Sequence, residues 1–349
     1  MALDASHPLA SLESGFRIKE PFLCATADML PSYSGEIPAY DFGVTKPKGP
    51  RPLREVIPMT KGRLETWKLI EHVKSAKGRN WPNIKPSEFL GQSIAICGGG
   101  PSLASLDQLK ELRALQKKGT KILAINRTHD FLLTKGIVPW AGILLDPVPA
   151  VANYITPRKG IRYYIGSQCH PSTFDKFDKP DLQKYIWHAA SVPELEAELT
   201  PREKVLCVPA NGSTCGLRSI LKSYIEGFRE LHLFGFDSCF EQNADRTLKI
   251  NDGKPNLHAY HKPEAILDVL EMLVPMDDGD RTYYGNTMMF SQADEFQQFL
   301  LVRDEGLKNG MLEPHTITVH GSGLIPDIAR FYGLHSDQLK VKHGKRLHA

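Results

Sequence analysis

The 349-residue chain carries few of the features that would settle its class at once. Its six cysteines (Cys24, Cys97, Cys169, Cys207, Cys215 and Cys239) form no C-x-x-C pair, so neither a zinc knuckle nor a redox motif is spelled out. Cys97, Cys207 and Cys239 lie in or beside apolar runs and read as buried reduced thiols. No apolar run approaches the roughly 18 to 20 residues of a spanning helix. The longest, Ile137 to Leu145, is broken by Pro139 and Gly142, so no transmembrane segment is expected. The opening MALDASHPLASLESGF has neither the basic start nor the apolar stretch of a secretory signal, which points to a cytoplasmic protein. There is no internal repeat. With 41% hydrophobic and 24% charged residues, the composition is that of a folded globular chain.

Positive charge is concentrated near the ends. Between Lys46 and Lys85 eleven lysines and arginines face three glutamates, a local net of +8, and the last ten residues add four more positive charges. Against an overall +3, the rest of the chain must carry −9. The 46–85 segment reads as a solvated arm able to contact a polyanion, although it lacks any recognisable nucleic-acid-binding motif.

Residues 1–60, rich in Pro, Ser and Gly, read as an irregular N-terminal extension. An amphipathic helix and linker follow over 61–90, with Leu64, Trp67, Leu69, Ile70 and Val73 at largely helical spacing. From 91 to 335 short apolar runs (SIAIC, KILAIN, WAGILLD, RYYIGSQ, KYIWH, KVLCV, ELHLFGFD and finally HTITVH) alternate with helical stretches. That alternation predicts an α/β fold, a Rossmann-like doubly wound and mostly parallel sheet. The polar stretch after Asp237 reads as a loop insertion over about 239–287, within which Ala265 to Thr287 fits either a hairpin around PMDDGD or a helix. MMFSQADEFQQFLLVRDEG and GLIPDIARFYG read as helices, and 336–349 as a basic tail.

Doubly wound sheets hold ligands at the carboxyl ends of their strands, so function is sought in the residues that follow each run. The first run enters Gly98-Gly99-Gly100-Pro101-Ser102, a turn tight enough to aim backbone N–H groups and a helix start at a phosphate. It is not G-x-x-x-x-G-K-[ST], and it lacks the third glycine of G-x-G-x-x-G. Asn126 ends the second run, where an NAD site would have an acid. Asp146 follows the third run and Asp237 the seventh, each a candidate base or Mg²⁺ ligand. Ser167, Gln168 and His170 follow the fourth, and His188 the fifth. Gly212-Ser213-Thr214 opens an apolar helix and offers a second anion-binding end or plain N-caps. His258 and His261, three apart on the insertion, make a weak metal signal, and His258 or His170 reads more readily as an acid or base; His320 ends the last run.

ICGGGPSL, AINRTHDFLLTKGIVPWAGILLDP and NGSTCGLRSILKSYIEGFRELHLFGFDS together resemble the MptE-like family, named for the archaeal 6-hydroxymethylpterin diphosphokinase, with its motility accessory factor-like and uncharacterised bacterial and phage branches. The resemblance covers about residues 90–240. It implies a nucleotide-dependent transferase carrying out Mg²⁺-assisted phosphoryl or diphosphate transfer from a nucleoside triphosphate such as ATP to a small acceptor. By matching position, Gly98, Gly100, Pro101, Ser102 and Asn126 would contact the nucleotide, with Asp146 and Asp237 in the crevice. The G-x-G-P-S-L turn and following Asn are also similar to bacterial sialyltransferases, so a glycosyltransferase using a CMP or UDP sugar is the alternative. A non-catalytic nucleotide-binding module, with the basic segment as its contact, is the third reading.

Overall fold

The computed structural model describes residues 23–24, 51–52, 64–190, 193–208, 212–260, 269–274 and 281–339. In chain order the first half comprises α1 (Thr66–Lys77), β1 (Ser93–Cys97), α2 (Leu106–Lys117), β2 (Lys121–Ile125), α3 (Thr128–Thr134), β3 (Ala141–Leu144), β4 (Arg162–Gly166), α4 (Pro171–Phe177) and β5 (Gln183–Trp187). The second half comprises α5 (Cys215–Ile225), β6 (Glu230–Phe234), β7 (Leu270–Val274), β8 (Arg281–Gly285), α6 (Thr287–Lys308), β9 (Thr316–Val319) and α7 (Leu324–Phe331).

Seven of the strands form one parallel sheet in the order β9-β6-β1-β2-β3-β4-β5. Its central strands are short and apolar on both faces because helices cover both sides. In β1, Ile94 and Ile96 pack with α5, α6 and α7, whereas Ala95 and Cys97 pack with Leu109 and Leu112 of α2 and Phe131 of α3. β1 to β5 are laid down in one direction; α5 then carries the chain across the other face and back beyond β1 to β6. The loops leaving β1 and β6 therefore diverge, which makes their carboxyl ends the switch point where such sheets open a crevice.

The α/β, doubly wound fold expected from the run pattern is the fold observed. One run is different. KVLCV forms no strand: Lys204 and Val205 end a short helix, Pro201–Val205, nucleated by a capping box in which Thr200 Oγ1 accepts from Glu203 N–H and the Glu203 carboxylate accepts from Thr200 N–H. Within the insertion the hairpin prevails over the helix, because β7 and β8 pair antiparallel from Leu270↔Gly285 to Val274↔Arg281. Two pieces of the N-terminal extension, Leu23–Cys24 and Arg51–Pro52, add to that hairpin as short strands.

The basic 46–85 segment is not wholly an arm. Its helix α1 buries Leu69, Val73 and Ala76, and Lys74, Lys77 and Arg79 pair with Glu198, Glu203 and Asp175. The basic tail from residue 340 lies outside the described residues. Cys97, Cys169, Cys215 and Cys239 are free and buried, as expected of structural thiols, and burial pushes each thiol up; Cys207, half-buried and outside any strand, is pushed up to about 12. Among the described residues no helix is long and apolar enough to cross a membrane.

Candidate functional site

At the switch point the loops after β1 and β6 interlock through glycine. Gly98 N–H donates to Phe234 O and Gly100 N–H to Gly235 O, both at 2.8 Å. A Cβ on Gly98 would stand 2.6 Å from Gly235 O, and one on Gly100 would stand 2.6 Å from the Asp237 carboxyl, so both glycines answer a close approach of backbone. Asp237 Oδ2 accepts from Ser102 N–H and Oδ1 from Ser102 Oγ–H, each at 2.6 Å. The carboxylate thus sits on the start of the Pro101–Ala104 turn, where the sequence suggested a phosphate. Asp237 is 3% exposed, and burial pushes its carboxyl up to about 7 despite the two hydrogen bonds from Ser102 that pull it down.

The loop's amides consequently face inward. Those of Gly98, Gly100, Ser102 and Leu103 are all taken by protein acceptors, and Gly99 is left as the loop amide with no acceptor among the described residues. On the β2 side of Gly99 stand Asn126, Arg127 and Thr128, which follow β2. Asn126 holds a left-handed φ of 51°, and its Oδ1 is buried with no partner among the described residues. Arg127, the next residue, lies over the Tyr154 ring at 4.6 Å. Thr128 Oγ1, His258 Nδ1 and Tyr260 Cε1 all come within 4 Å of the position a Cβ on Gly99 would take. The His258 and Tyr260 rings stack at 4.5 Å, anchored by the Ala259 N–H to Gly99 O bond of 2.8 Å. The insertion therefore folds His258 over the glycine loop.

The model of the family described as 6-hydroxymethylpterin diphosphokinase MptE-like matches residues 68–243, half of the chain. The chain belongs to the MptE-like family. Among curated proteins none matches it. Among solved structures, the MAf glycosyltransferase from Magnetospirillum magneticum AMB-1 is similar over 68% of this chain and 35% of its own, with 18% identity and a TM-score of 0.46. The chain thus spans about a third of that protein's length.

In this MptE-like chain the remaining candidates are dispersed. The N-terminus of α5 is already occupied: Glu295 Oε2, from α6, accepts from Ser213 N–H at 2.8 Å and from Ser213 Oγ at 2.9 Å. Thr214 Oγ1 caps Leu217 N–H and accepts from Gln292, while Gly212 carries its carbonyl to Arg218. The expected second anion site at Gly212-Ser213-Thr214 is therefore filled by a protein carboxylate. Asp146, exposed just past the end of β3, follows a strand three spacings from β6, about 14 Å across the sheet. His170 caps α4, its Nδ1 accepting from Ser172 N–H, and meets the His72 ring at 5.2 Å, four strand spacings or about 19 Å from β6. It belongs to a different part of the edge from Asp237. His188, fully buried after β5 and 3.7 Å from Glu203, is pushed down to about 4 by burial, and a cavity of about 10 Å³ beside it is the size of one water. His261 lies outside the described residues, and among those described no group of three or more metal-ligating side chains forms. Sequence reasoning missed Arg127, Tyr154 and Tyr260; the signal for Arg127 was its place directly after the strand-ending Asn126.

Proposed function

We propose that the protein is a transferase that binds a nucleotide donor beside the ends of β1 and β2 and moves part of it to the hydroxyl of a small acceptor. The observation that carries this reading is Asp237, buried at the switch point with a carboxyl near 7. A group close to half ionised at neutral pH is suited to taking a proton and returning it. For diphosphate transfer the acceptor oxygen forms a bond to the donor's β-phosphorus while its proton passes to Ser102 Oγ, whose own proton moves to the Asp237 carboxylate. The bond from that phosphorus to the α-phosphate oxygen breaks, and the nucleoside monophosphate leaves with the electron pair. Little covalent work falls to the protein, so positioning and charge neutralisation dominate.

The residues divide the work by chemistry. Asn126 Oδ1, an acceptor with no partner among the described residues, suits a ribose hydroxyl or a base amino group; Arg127 and the Gly99 N–H suit phosphate oxygens. His258 overlies Gly99 and is the nearest imidazole to a leaving phosphate. For Mg²⁺, exposed Asp146 fits, since this ion keeps several waters and takes one or two carboxylates with the substrate's phosphates. Asp237 does not, being buried with each oxygen already accepting from Ser102. When bound, the ion supplies neutralisation of phosphate charge.

Thermal stability of the full chain against ATP, GTP, CTP, CMP and UDP, with and without Mg²⁺, tests the reading. A bound nucleotide at a hundredfold excess over Kd stabilises by about 2.7 kcal/mol. The expected result is a Mg²⁺-dependent shift with a triphosphate that Arg127→Ala removes. A shift with CMP or UDP alone transfers the assignment to a nucleotide sugar. No shift with any nucleotide, or one indifferent to Arg127→Ala, overturns the ends of β1 and β2 as the donor site.

A further inference from the structure

His258 reaches the glycine loop on a stretch of chain that is closed at its base by one side-chain pair. After Asp237 the chain runs out from Glu241 through tight turns at Arg246 and Asp252, both at left-handed φ, and returns to Asn256, 15 residues on. There Glu241 N–H donates to Asn256 O at 2.8 Å, and Glu241 Oε2 accepts from Asn256 Nδ2 at 3.1 Å. The other carboxylate oxygen, Oε1, accepts from Lys249 Nζ at 2.6 Å. Asn256, 1% exposed, turns the rest of its amide along the chain, and its Oδ1 accepts from His258 N–H at 3.3 Å.

These contacts fix direction as well as place. A carboxylate only accepts and a backbone N–H only donates, so Asn256 satisfies both with Nδ2 toward Glu241 and Oδ1 toward His258, and not the other way round. The turn held in this way delivers Ala259 N–H to Gly99 O and stacks the His258 ring on Tyr260 at 4.5 Å. The backbone bond between Glu241 and Asn256 closes the excursion; the buried amide adds a fixed exit toward His258. Glu241 also acts on Asp237. Burial pushes the Asp237 carboxyl up and the Glu241 charge adds to this, against the two bonds from Ser102; Cys239 nearby is a thiol that burial pushes up, so it brings no charge of its own.

We propose that the Glu241–Asn256 pair is the positioning element of the transfer site, with Asn256 aiming the His258 imidazole at the glycine loop and Glu241 both orienting Asn256 and placing a negative charge near Asp237. One side chain thereby governs both groups. The role in transfer rests on the transferase reading above; the coupling of Glu241 to His258 and Asp237 rests on the contacts alone.

NMR of the full chain reads both groups without a ligand. The signals are the ring protons of His258, displaced by the Tyr260 stack, and the carboxyl titration of Asp237, assigned with His258→Ala and Asp237→Asn. Asn256→Ala should move the His258 signals toward those of an unstacked imidazole, leave the Asp237 midpoint in place, and keep the Glu241 amide protected from hydrogen exchange, because the excursion stays closed. Glu241→Gln should move the Asp237 midpoint to lower pH, since the opposing charge is gone and Lys249 is left uncompensated. Glu241→Gln combined with Asn256→Asp reverses donor and acceptor, keeps an acceptor for both Lys249 and His258 N–H, and should return the His258 signals to their wild-type positions. His258 signals that do not move in Asn256→Ala, or move only with loss of Glu241 amide protection, overturn the proposal, as do a double variant without rescue and an Asp237 midpoint indifferent to Glu241→Gln. The expected NMR results together with no nucleotide-induced thermal shift would instead overturn the transferase reading and leave the coupling standing.

Discussion

At the scale of single residues, Asp237 decides most. An acid whose folded-state pKa lies above its unfolded value binds its proton more tightly when folded, so it lowers stability as pH rises from about 4 to about 7. Above that window the penalty is complete, on the order of 4 kcal/mol for a displacement of about three units. Asp237→Asn removes it. The variant's stability relative to wild type should therefore increase between pH 4 and pH 8 by up to that amount, while turnover with an identified donor and acceptor is lost. Urea unfolding of both proteins at the two pH values measures it; a constant difference would mean that Asp237 is ionised throughout. Sequence reading placed Asp237 at the end of its strand, because a carboxylate after an apolar run is visible locally. Its burial and its grip on Ser102 were not visible, since that partner lies 135 residues earlier in the chain. The same distance hides why Gly98 and Gly100 are glycine: a side chain at either would strike Gly235 or Asp237.

At the scale of elements, helix starts that look like anion sites in sequence are settled by what packs on them. α5 is capped by Thr214, and nothing nearby reveals that Glu295, two turns into α6, will reach the amide and hydroxyl of Ser213 just ahead of that cap. Such a carboxylate satisfies the Ser213 amide and hydroxyl and complements the helix dipole, a contribution of about 1 kcal/mol. Glu295→Ala should cost that much in chemical denaturation and leave any nucleotide-induced thermal shift unchanged. A lost shift with intact folding would return Ser213 to the ligand site. The KVLCV segment shows the opposite case, where the information was local: Thr200 and Glu203 spell a capping box ahead of Pro201, and that helix start overrides β-favourable Val and Cys. For the long insertion, β-pairing between β7 and β8 decided between two readings that periodicity alone left equal.

At the scale of the whole molecule, strand order turns a row of candidate residues into separate places. Each run, apart from KVLCV, was legible in the sequence, because alternation of buried strands and amphipathic helices is a repeated local signal. The order in which strands lie side by side is not local, and it sets which strand ends share a crevice. β1 and β6, 137 residues apart at their first positions, are neighbours, whereas β4 and β6 are four spacings apart. His258 and His170, equal as candidates in sequence, therefore part company: the first lies over Gly99, the second caps α4 beside His72. Proton transfer needs its group within hydrogen-bond reach of the reacting atoms, so His170 at about 19 Å from β6 has no part in chemistry at Asp237. His170→Ala should keep kcat within about twofold of wild type and lose only about 1 kcal/mol of stability with its cap. His258→Ala should keep its fold and lower kcat by about 10²-fold or more, the usual worth of a positioned acid or base. Steady-state kinetics of the two variants with a common donor compares them directly, and a large kcat loss at His170 with none at His258 would move the reacting centre to the β4 end of the sheet.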